Sequence, residues 1–137
     1  MTDQDQHERR RQIVRTFSDA GADRWEHFAP DFRWRMIGTT PVSGLMIGVG
    51  GVANHMTPFG QRMASLTVIV DDVIGEGDSY VKIAHSEGAT TDGQPYRNEY
   101  ATVFRFDGDK ITEIVEYLDT ALIERVVTGQ PAAPPNG

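Results

Sequence analysis

The sequence predicts one α+β domain in which a curved antiparallel sheet wraps around three N-terminal helices. Apolar residues recur at helical spacing in the first half of the chain, and alternating runs separated by Asp/Gly turns follow in the second half. The length of 137 residues suits a single domain with a substantial core. Because helices cover only one face of a sheet, we expect the sheet to close over them as a cone with a cavity inside. The convex face is then available to a second subunit.

Three helices are predicted before the main run of strands. The first covers about residues 7–20, with an apolar stripe that includes Phe17 and with Gly21 at its end. A short second helix over residues 22–29 stops before Pro30. The third, over residues 51–63, has one apolar face, and Pro58 is expected to kink it or end it early. The arginines of the first helix are interpreted as a solvated face; they are Arg9, Arg10, Arg11 and Arg15.

The strands are predicted from alternation and turn residues. Phe32, Trp34 and Met36 alternate with two arginines and indicate a strand over residues 31–36, and a short strand at 42–46 lies in the Gly-rich connection that follows. Further strands are predicted over residues 66–74, 79–89, 95–106 and 111–118. Asp119 or Thr120 caps a last helix over 121–127. The domain is therefore expected to span residues 1–127, and the Pro/Gly/Ala-rich tail 128–137 is expected to be disordered.

Composition excludes several classes of function. The formal net charge is −7, so the chain lacks the basic surface of a nucleic-acid or anionic-membrane binder. There is no cysteine, which excludes disulfides, thiolate metal ligands and cysteine nucleophiles. The first twelve residues are polar and no apolar run is long enough to span a bilayer, so we expect a cytoplasmic protein. Motifs for dinucleotide binding, P-loops, zinc proteases and serine hydrolases are absent.

Hairpin geometry predicts which side chains meet on the sheet. If Asp92-Gly93 is a two-residue turn, His85 pairs with Tyr100 and Glu87 pairs with Asn98, all on one face. We expect this face to line the cavity. The opposite face of the 95–106 strand is expected to form a homodimer surface by two-fold symmetry; it carries Arg97, Glu99, Ala101, Val103 and Arg105.

The last strand has two alternatives. A two-residue loop at residues 107–110 places Tyr117 beside Tyr100 on the inner face, whereas a three-residue loop with a Gly bulge places Glu116 there. We favour the second alternative, because it puts Ile114 and Leu118 inside with one carboxylate between them.

These side chains would form an acid–base site. Burial and mutual charge move the pKa values of His85, Glu87 and Glu116 toward neutrality, so one group acts as a general base and another as a general acid. Tyr100 and Asn98 can donate hydrogen bonds to a developing enolate or alkoxide. No metal and no organic cofactor is required.

Four segments are typical of one protein family: WRMIGTTPVSG at 34–44, EGATTDGQPYRNEY at 87–100, FRFDG at 104–108 and IVEYLDT at 114–120. Over about residues 13–127 the chain resembles the SnoaL-like branch of the NTF2-like superfamily, which includes ketosteroid isomerases and limonene-epoxide hydrolases. The resemblance implies an α+β cone with a deep apolar pocket, often paired as a dimer through the sheet. It implies an isomerase, cyclase, dehydratase or hydrolase, or else a non-catalytic binder.

Transfer of functional residues from this family is limited. Limonene-epoxide hydrolases carry Arg-x-Asp on the third strand and a second Asp on the last, and the matching positions hold His85-x-Glu87 and Glu116. Because histidine replaces the arginine, epoxide hydrolysis is disfavoured. We expect a cofactor-independent acid–base enzyme acting on a small, largely apolar carbonyl or cyclic compound of polyketide, steroid or terpenoid type. The alternative is a non-catalytic small-molecule-binding or dimerisation module. The residues expected to contact substrate are Trp34, Met56, Phe59, Asn98 and Tyr100.

Overall fold

A computed structural model describes residues 2–17 and 24–130. In chain order the elements are α1 (Asp3–Thr16), β1 (Phe28–Met36), β2 (Gly44–Ile47), α2 (Gly48–Arg62), β3 (Met63–Glu76), β4 (Ser79–Thr90), β5 (Pro95–Asp107), β6 (Lys110–Leu118) and α3 (Thr120–Thr128). The predicted α+β fold is confirmed. Among the described residues, α1 is the one helix that precedes the sheet, α2 lies between β2 and β3, and α3 follows β6. The predictions for Gly21 and for residues 131–137 lie outside the described residues.

The six strands form one mixed sheet in the order β2-β1-β6-β5-β4-β3. Strands β3 to β6 form the predicted antiparallel meander, whereas β1 pairs with β6 in parallel. The meander is curved by β-bulges, which leave one extra residue on a strand and increase its local twist. These extra residues are Ala64 and Asp71 on β3 and Thr112 on β6.

Helix α1 is fixed to one end of the sheet by a buried arginine. Arg10 is 5% exposed, and its guanidinium donates to Asp78 Oδ1 at 2.8 Å and to the Gly108 carbonyl at 2.6 and 3.0 Å. Asp78 and Gly108 lie in the β3–β4 and β5–β6 turns, so one side chain holds α1 against both hairpins. The predicted solvated face is therefore wrong for Arg10, because its fork-shaped donor group satisfies acceptors at two turns at once.

Two further helix predictions need correction. Residues 24–27 form turns rather than the end of a helix, and the chain is already in β1 at Phe28, whose ring is buried. The cause is tertiary pairing, because Ile111 N–H donates to the His27 carbonyl at 2.7 Å and draws this segment onto β6. Helix α2 continues past Pro58 to Arg62 instead of ending early, and Pro58 is on its exposed side.

Helix α3 ends one residue beyond its predicted end at residue 127. Asp119 caps α3 as expected, with its side chain accepting from the N–H groups of Ala121 and Leu122. The helix includes Thr128 and ends at Gly129, which has the left-handed conformation at φ 77°.

Candidate functional site

A cavity of about 600 Å³ lies between the inner face of the sheet and the helices α1 and α2. Its wall is mainly apolar and includes Trp34, Met56 and Phe59, three of the residues expected to contact substrate. A smaller recess of about 60 Å³ shares these side chains and is lined also by Tyr96, Tyr100 and Thr102. Within residues 2–17 and 24–130, the charged side chains on the wall of the larger cavity are Arg15, Arg24, Lys82 and Glu116.

The register of the β4–β5 hairpin differs from the predicted one by a single residue. Ser86 pairs with Asn98 and His85 pairs with Glu99, because the loop contains three residues rather than two. The loop is closed by the Thr90 N–H donating to the Gln94 carbonyl at 2.8 Å. Gly93 has φ 86°, a left-handed conformation that this three-residue loop requires and that glycine adopts without strain.

This shift places His85 and Glu87 on the convex face, away from the cavity. His85 shares a 2.7 Å hydrogen bond between its Nδ1 and Asp71 Oδ2, and this bond raises the pKa of the imidazole above its ordinary value. Glu87 is exposed and pairs across the strand with Arg97. The expectation that His85 and Glu87 lie beside Tyr100 is therefore wrong, since a shift of one residue moves every side chain of a strand to the other face.

Glu116 lies on the cavity wall, and Tyr117 is 46% exposed. Glu116 is therefore on the inner face, as in the alternative that we favoured, although the β5–β6 loop differs from the predicted one. Asp107 pairs with Lys110 across a two-residue turn, and a bulge at Thr112 then shifts the following residues by one position. As a result Glu116 is opposite Thr102 rather than Tyr100.

An aromatic cluster orients the Glu116 carboxylate. Trp34 Nε1 donates to Glu116 Oε1 at 3.0 Å. The Trp34 ring packs 6.1 Å from the ring of Phe17 and 6.3 Å from that of Trp25, measured between centroids. Glu116 is thus a hydrogen-bonded acceptor at the edge of an apolar cavity, where a carboxylate is less hydrated than in water.

Lys82 is a functional candidate that the sequence interpretation missed. It is 6% exposed, lines the cavity, and donates from Nζ to the Phe17 carbonyl at 3.1 Å. Its Nζ lies 5.3 Å from the centroid of the Phe17 ring and 5.4 Å from that of Phe104, which are cation–π distances. Lys82 is opposite Thr102, and Thr102 is opposite Glu116, so the three residues form one row across β4, β5 and β6. The correct register between β4 and β5 would therefore have placed Lys82 on the same face as Glu116.

The fully buried Tyr96 and the partly buried Tyr100 add neutral hydroxyl groups to the recess. Tyr100 Oη lies 2.8 Å from Ser86 Oγ and 3.5 Å from Tyr96 Oη. Burial raises the pKa of both Tyr96 and Tyr100, so both phenols keep their protons at neutral pH and can donate hydrogen bonds.

Asn98 faces inward as predicted, but its amide serves the fold. It is 4% exposed and is not among the residues that line either cavity. Its Nδ2 donates to Tyr96 Oη at 2.9 Å and to the Asp119 carbonyl at 3.1 Å. Its Oδ1 accepts from the Glu99 N–H at 2.8 Å and the Asp119 N–H at 3.2 Å. The amide therefore joins β5 to the start of α3.

Within residues 2–17 and 24–130, no group of three or more His, Asp or Glu side chains is arranged to hold a metal ion. None of the helices in this described part of the chain is long and apolar enough to cross a membrane.

The curved sheet, its helices and its internal cavity define an NTF2-like cone. A solved structure with this architecture is an NTF2-like protein of unknown function from Burkholderia pseudomallei K96243. It is 21% identical, has a TM-score of 0.73, and the alignment covers 88% of this chain and 98% of that one. The sequence profile of the SnoaL-like domain matches residues 10–114, and the chain belongs to this family.

Two further structures are similar to this chain. One is from Jannaschia sp. CCS1 and is described as a candidate SnoaL-like polyketide cyclase, with 22% identity, a TM-score of 0.72, and coverage of 93% and 94% of the two chains. The other is from Catenulispora acidiphila DSM 44928 and has a ketosteroid isomerase-like fold in complex with trimethylamine. It has 20% identity, a TM-score of 0.68, and coverage of 90% and 98%. The comparison with curated proteins gives no significant match.

Proposed function

We propose that this protein is a cofactor-independent acid–base enzyme that acts on a small, largely apolar carbonyl or cyclic compound, with Glu116 as its proton acceptor. The observation that carries the proposal is the position of Glu116 on the wall of an otherwise mainly apolar cavity of about 600 Å³. Trp34 Nε1 donates to Glu116 Oε1 at 3.0 Å, so the carboxylate is held in a defined orientation on that wall, where it can accept a proton from a ligand. The similarity to a candidate polyketide cyclase supports a ring-forming or ring-modifying reaction.

The proposed step is abstraction of a proton from the carbon next to a carbonyl group. The C–H electron pair forms the C=C bond of an enolate, the proton passes to Glu116, and the negative charge develops on the carbonyl oxygen. Tyr100 supports this charge by donating a hydrogen bond, since its buried phenol stays protonated. Return of the proton from Glu116 to another atom completes an isomerisation. Alternatively, the enolate attacks a second carbonyl carbon of the same substrate, the electron pair of that C=O bond forms an alkoxide, and return of the proton from Glu116 to the alkoxide completes a cyclisation.

Deuterium exchange provides a test that does not require the natural substrate. The ketone 1-tetralone is a rigid, apolar probe whose α-protons exchange slowly in D₂O. We expect the wild-type protein to accelerate this exchange, measured as loss of the α-proton signal by NMR. Glu116→Gln should reduce the accelerated rate by about 10²-fold, the usual contribution of a general base.

Glu113→Gln is the matched control for this experiment. Glu113 is on the same strand but pairs with Arg105, and its carboxylate forms an ion pair with that arginine. It should exchange 1-tetralone at the wild-type rate. Exchange at the wild-type rate in Glu116→Gln would refute the assignment of the base. Binding of 1-tetralone without any acceleration by the wild-type protein would instead support the non-catalytic binding module.

A further inference from the structure

Among residues 2–17 and 24–130, three of the four charged side chains that line the larger cavity are cationic, although the chain has a formal net charge of −7. They are Arg15, Arg24 and Lys82, and the carboxylate is that of Glu116. Arg15 is exposed, whereas Lys82 is only 6% exposed. Positive groups in a cavity with apolar walls attract an anion more strongly than the same groups on an open surface. Lys82 and Arg24 therefore indicate a ligand with a negative group.

Lys82 supplies a positive charge at the inner surface of the sheet. Its side chain is almost completely buried, yet its ammonium group adjoins the cavity between the rings of Phe17 and Phe104. Glu116 is two strands away in the same row, and adjacent strands are about 4.8 Å apart. One ring compound can therefore place its anionic group near Lys82 and a reactive carbon near Glu116.

Arg24 provides a second, independent indication of an acceptor in the ligand. Its Nε is buried and has no hydrogen-bond partner among residues 2–17 and 24–130. A buried donor without an acceptor is costly, and a ligand oxygen would remove that cost. The Arg24 guanidinium lies 5.0 Å from the Trp25 ring, and Trp25 packs 6.2 Å from Phe17, the ring that Lys82 contacts. The two cations thus flank one pair of aromatic rings on the cavity wall.

We infer that the substrate is a ring compound carrying a carboxylate, and that Lys82 and Arg24 bind this carboxylate against the Phe17–Trp25 pair. The inference rests on the proposed function because it names the substrate class for the same cavity. Lys82 is a specificity-determining residue on this view, and Glu116 remains the base. The carboxylate end is fixed by charge-assisted hydrogen bonds, and the rings fill the apolar remainder of the cavity.

The test compares two probes of nearly the same shape, the anionic 2-naphthoate and the neutral 2-naphthamide. Binding is measured at pH 7 by quenching of tryptophan fluorescence, since Trp25 and Trp34 line the cavity. We expect the wild-type protein to bind 2-naphthoate at least tenfold more tightly than 2-naphthamide. Lys82→Met should remove this preference while 2-naphthamide still binds. Lys110→Met is the matched control, because Lys110 is exposed and donates to the Glu26 carbonyl, and it should keep the preference.

Equal affinities for the two probes in the wild-type protein, or a tenfold preference that persists in Lys82→Met, would overturn the inference. If Lys82→Met does not fold, Arg24→Gln provides the second variant and should reduce the preference at least threefold; an unchanged preference would count against the carboxylate site. Because these measurements record binding alone, they are separate from the exchange assay. If the protein prefers 2-naphthoate but does not accelerate the exchange of 1-tetralone, only the proposed reaction is refuted. If the protein accelerates the exchange but does not prefer 2-naphthoate, only the carboxylate site is refuted.

Discussion

Replacing Asn98 with alanine should destabilise the protein through the junction between β5 and α3. The amide makes four hydrogen bonds within the protein, two to the backbone of Asp119. Truncation leaves these buried partners without their acceptor or donor, and partial replacement by water offsets some of the loss. With a net contribution of about 1 kcal/mol for each bond, we expect the free energy of unfolding to fall by about 3 kcal/mol.

This loss is large enough to measure by thermal unfolding. With an unfolding entropy of about 2.1 cal/mol/K per residue, a chain of 137 residues should lose about 10 °C in Tm. The matched control is Asn54→Ala on the exposed side of α2, which should change Tm by only 1–2 °C. A wild-type Tm in Asn98→Ala, together with weakened binding of 1-tetralone, would refute the structural role and restore the ligand-binding role predicted from the sequence.

Three other predictions follow from the sheet. We propose a homodimer through the convex face, so sedimentation at micromolar concentration should show about twice the 15.2 kDa chain mass, and Ala101→Arg should yield the single chain; a wild-type monomer would contradict this. Gly93→Val should lower the free energy of unfolding by about 1–2 kcal/mol in urea titrations, because φ at this position is 86°, and an unchanged midpoint would count against the loop geometry. The hydrogen bond to Asp71 raises the pKa of His85 above 6.5. The pair therefore stabilises the fold below about pH 6.5, and this stabilisation is lost as the pH rises through the raised value. In an NMR titration Asp71→Asn should lower the His85 pKa, and no change would disprove the coupling.

The fold was predictable from the sequence because its main signals are local. Alternation of Phe32, Trp34 and Met36 predicted the inner face of β1, and all three are buried. The turn residues of the meander predicted where each strand begins and ends to within a few residues. The parallel pairing of β1 with β6 had no local signal, because it joins segments that lie far apart in the sequence.

The site was harder to predict because it depends on register. On β4 the predicted inner face followed from the assumed two-residue turn. The outward Val81 and Ile83 are more apolar than the inward Lys82 and Ser86, so the alternation along the strand did not correct the register. An apolar outer face of this kind suits contact with a second subunit. When both faces of a sheet are covered, they no longer differ in hydrophobicity, and the alternation of polar and apolar residues no longer indicates the inner face. The Glu116 prediction had the right face because Ile114 and Leu118 flank it in the same phase, and both lie on the inner side.

The bulge at Thr112 makes the chemistry of the cavity depend on strand register as well as on residue type. If Thr112 paired with Arg105 instead of bulging, each later residue of β6 would shift by one position and its side chain would move to the opposite face. Tyr117 would then enter the cavity and Glu116 would leave it, so loss of the bulge alone would exchange a carboxylate for a phenol. Deleting Thr112 would instead keep Glu113 opposite Arg105 and Glu116 opposite Thr102, and the bulged register would become the regular one.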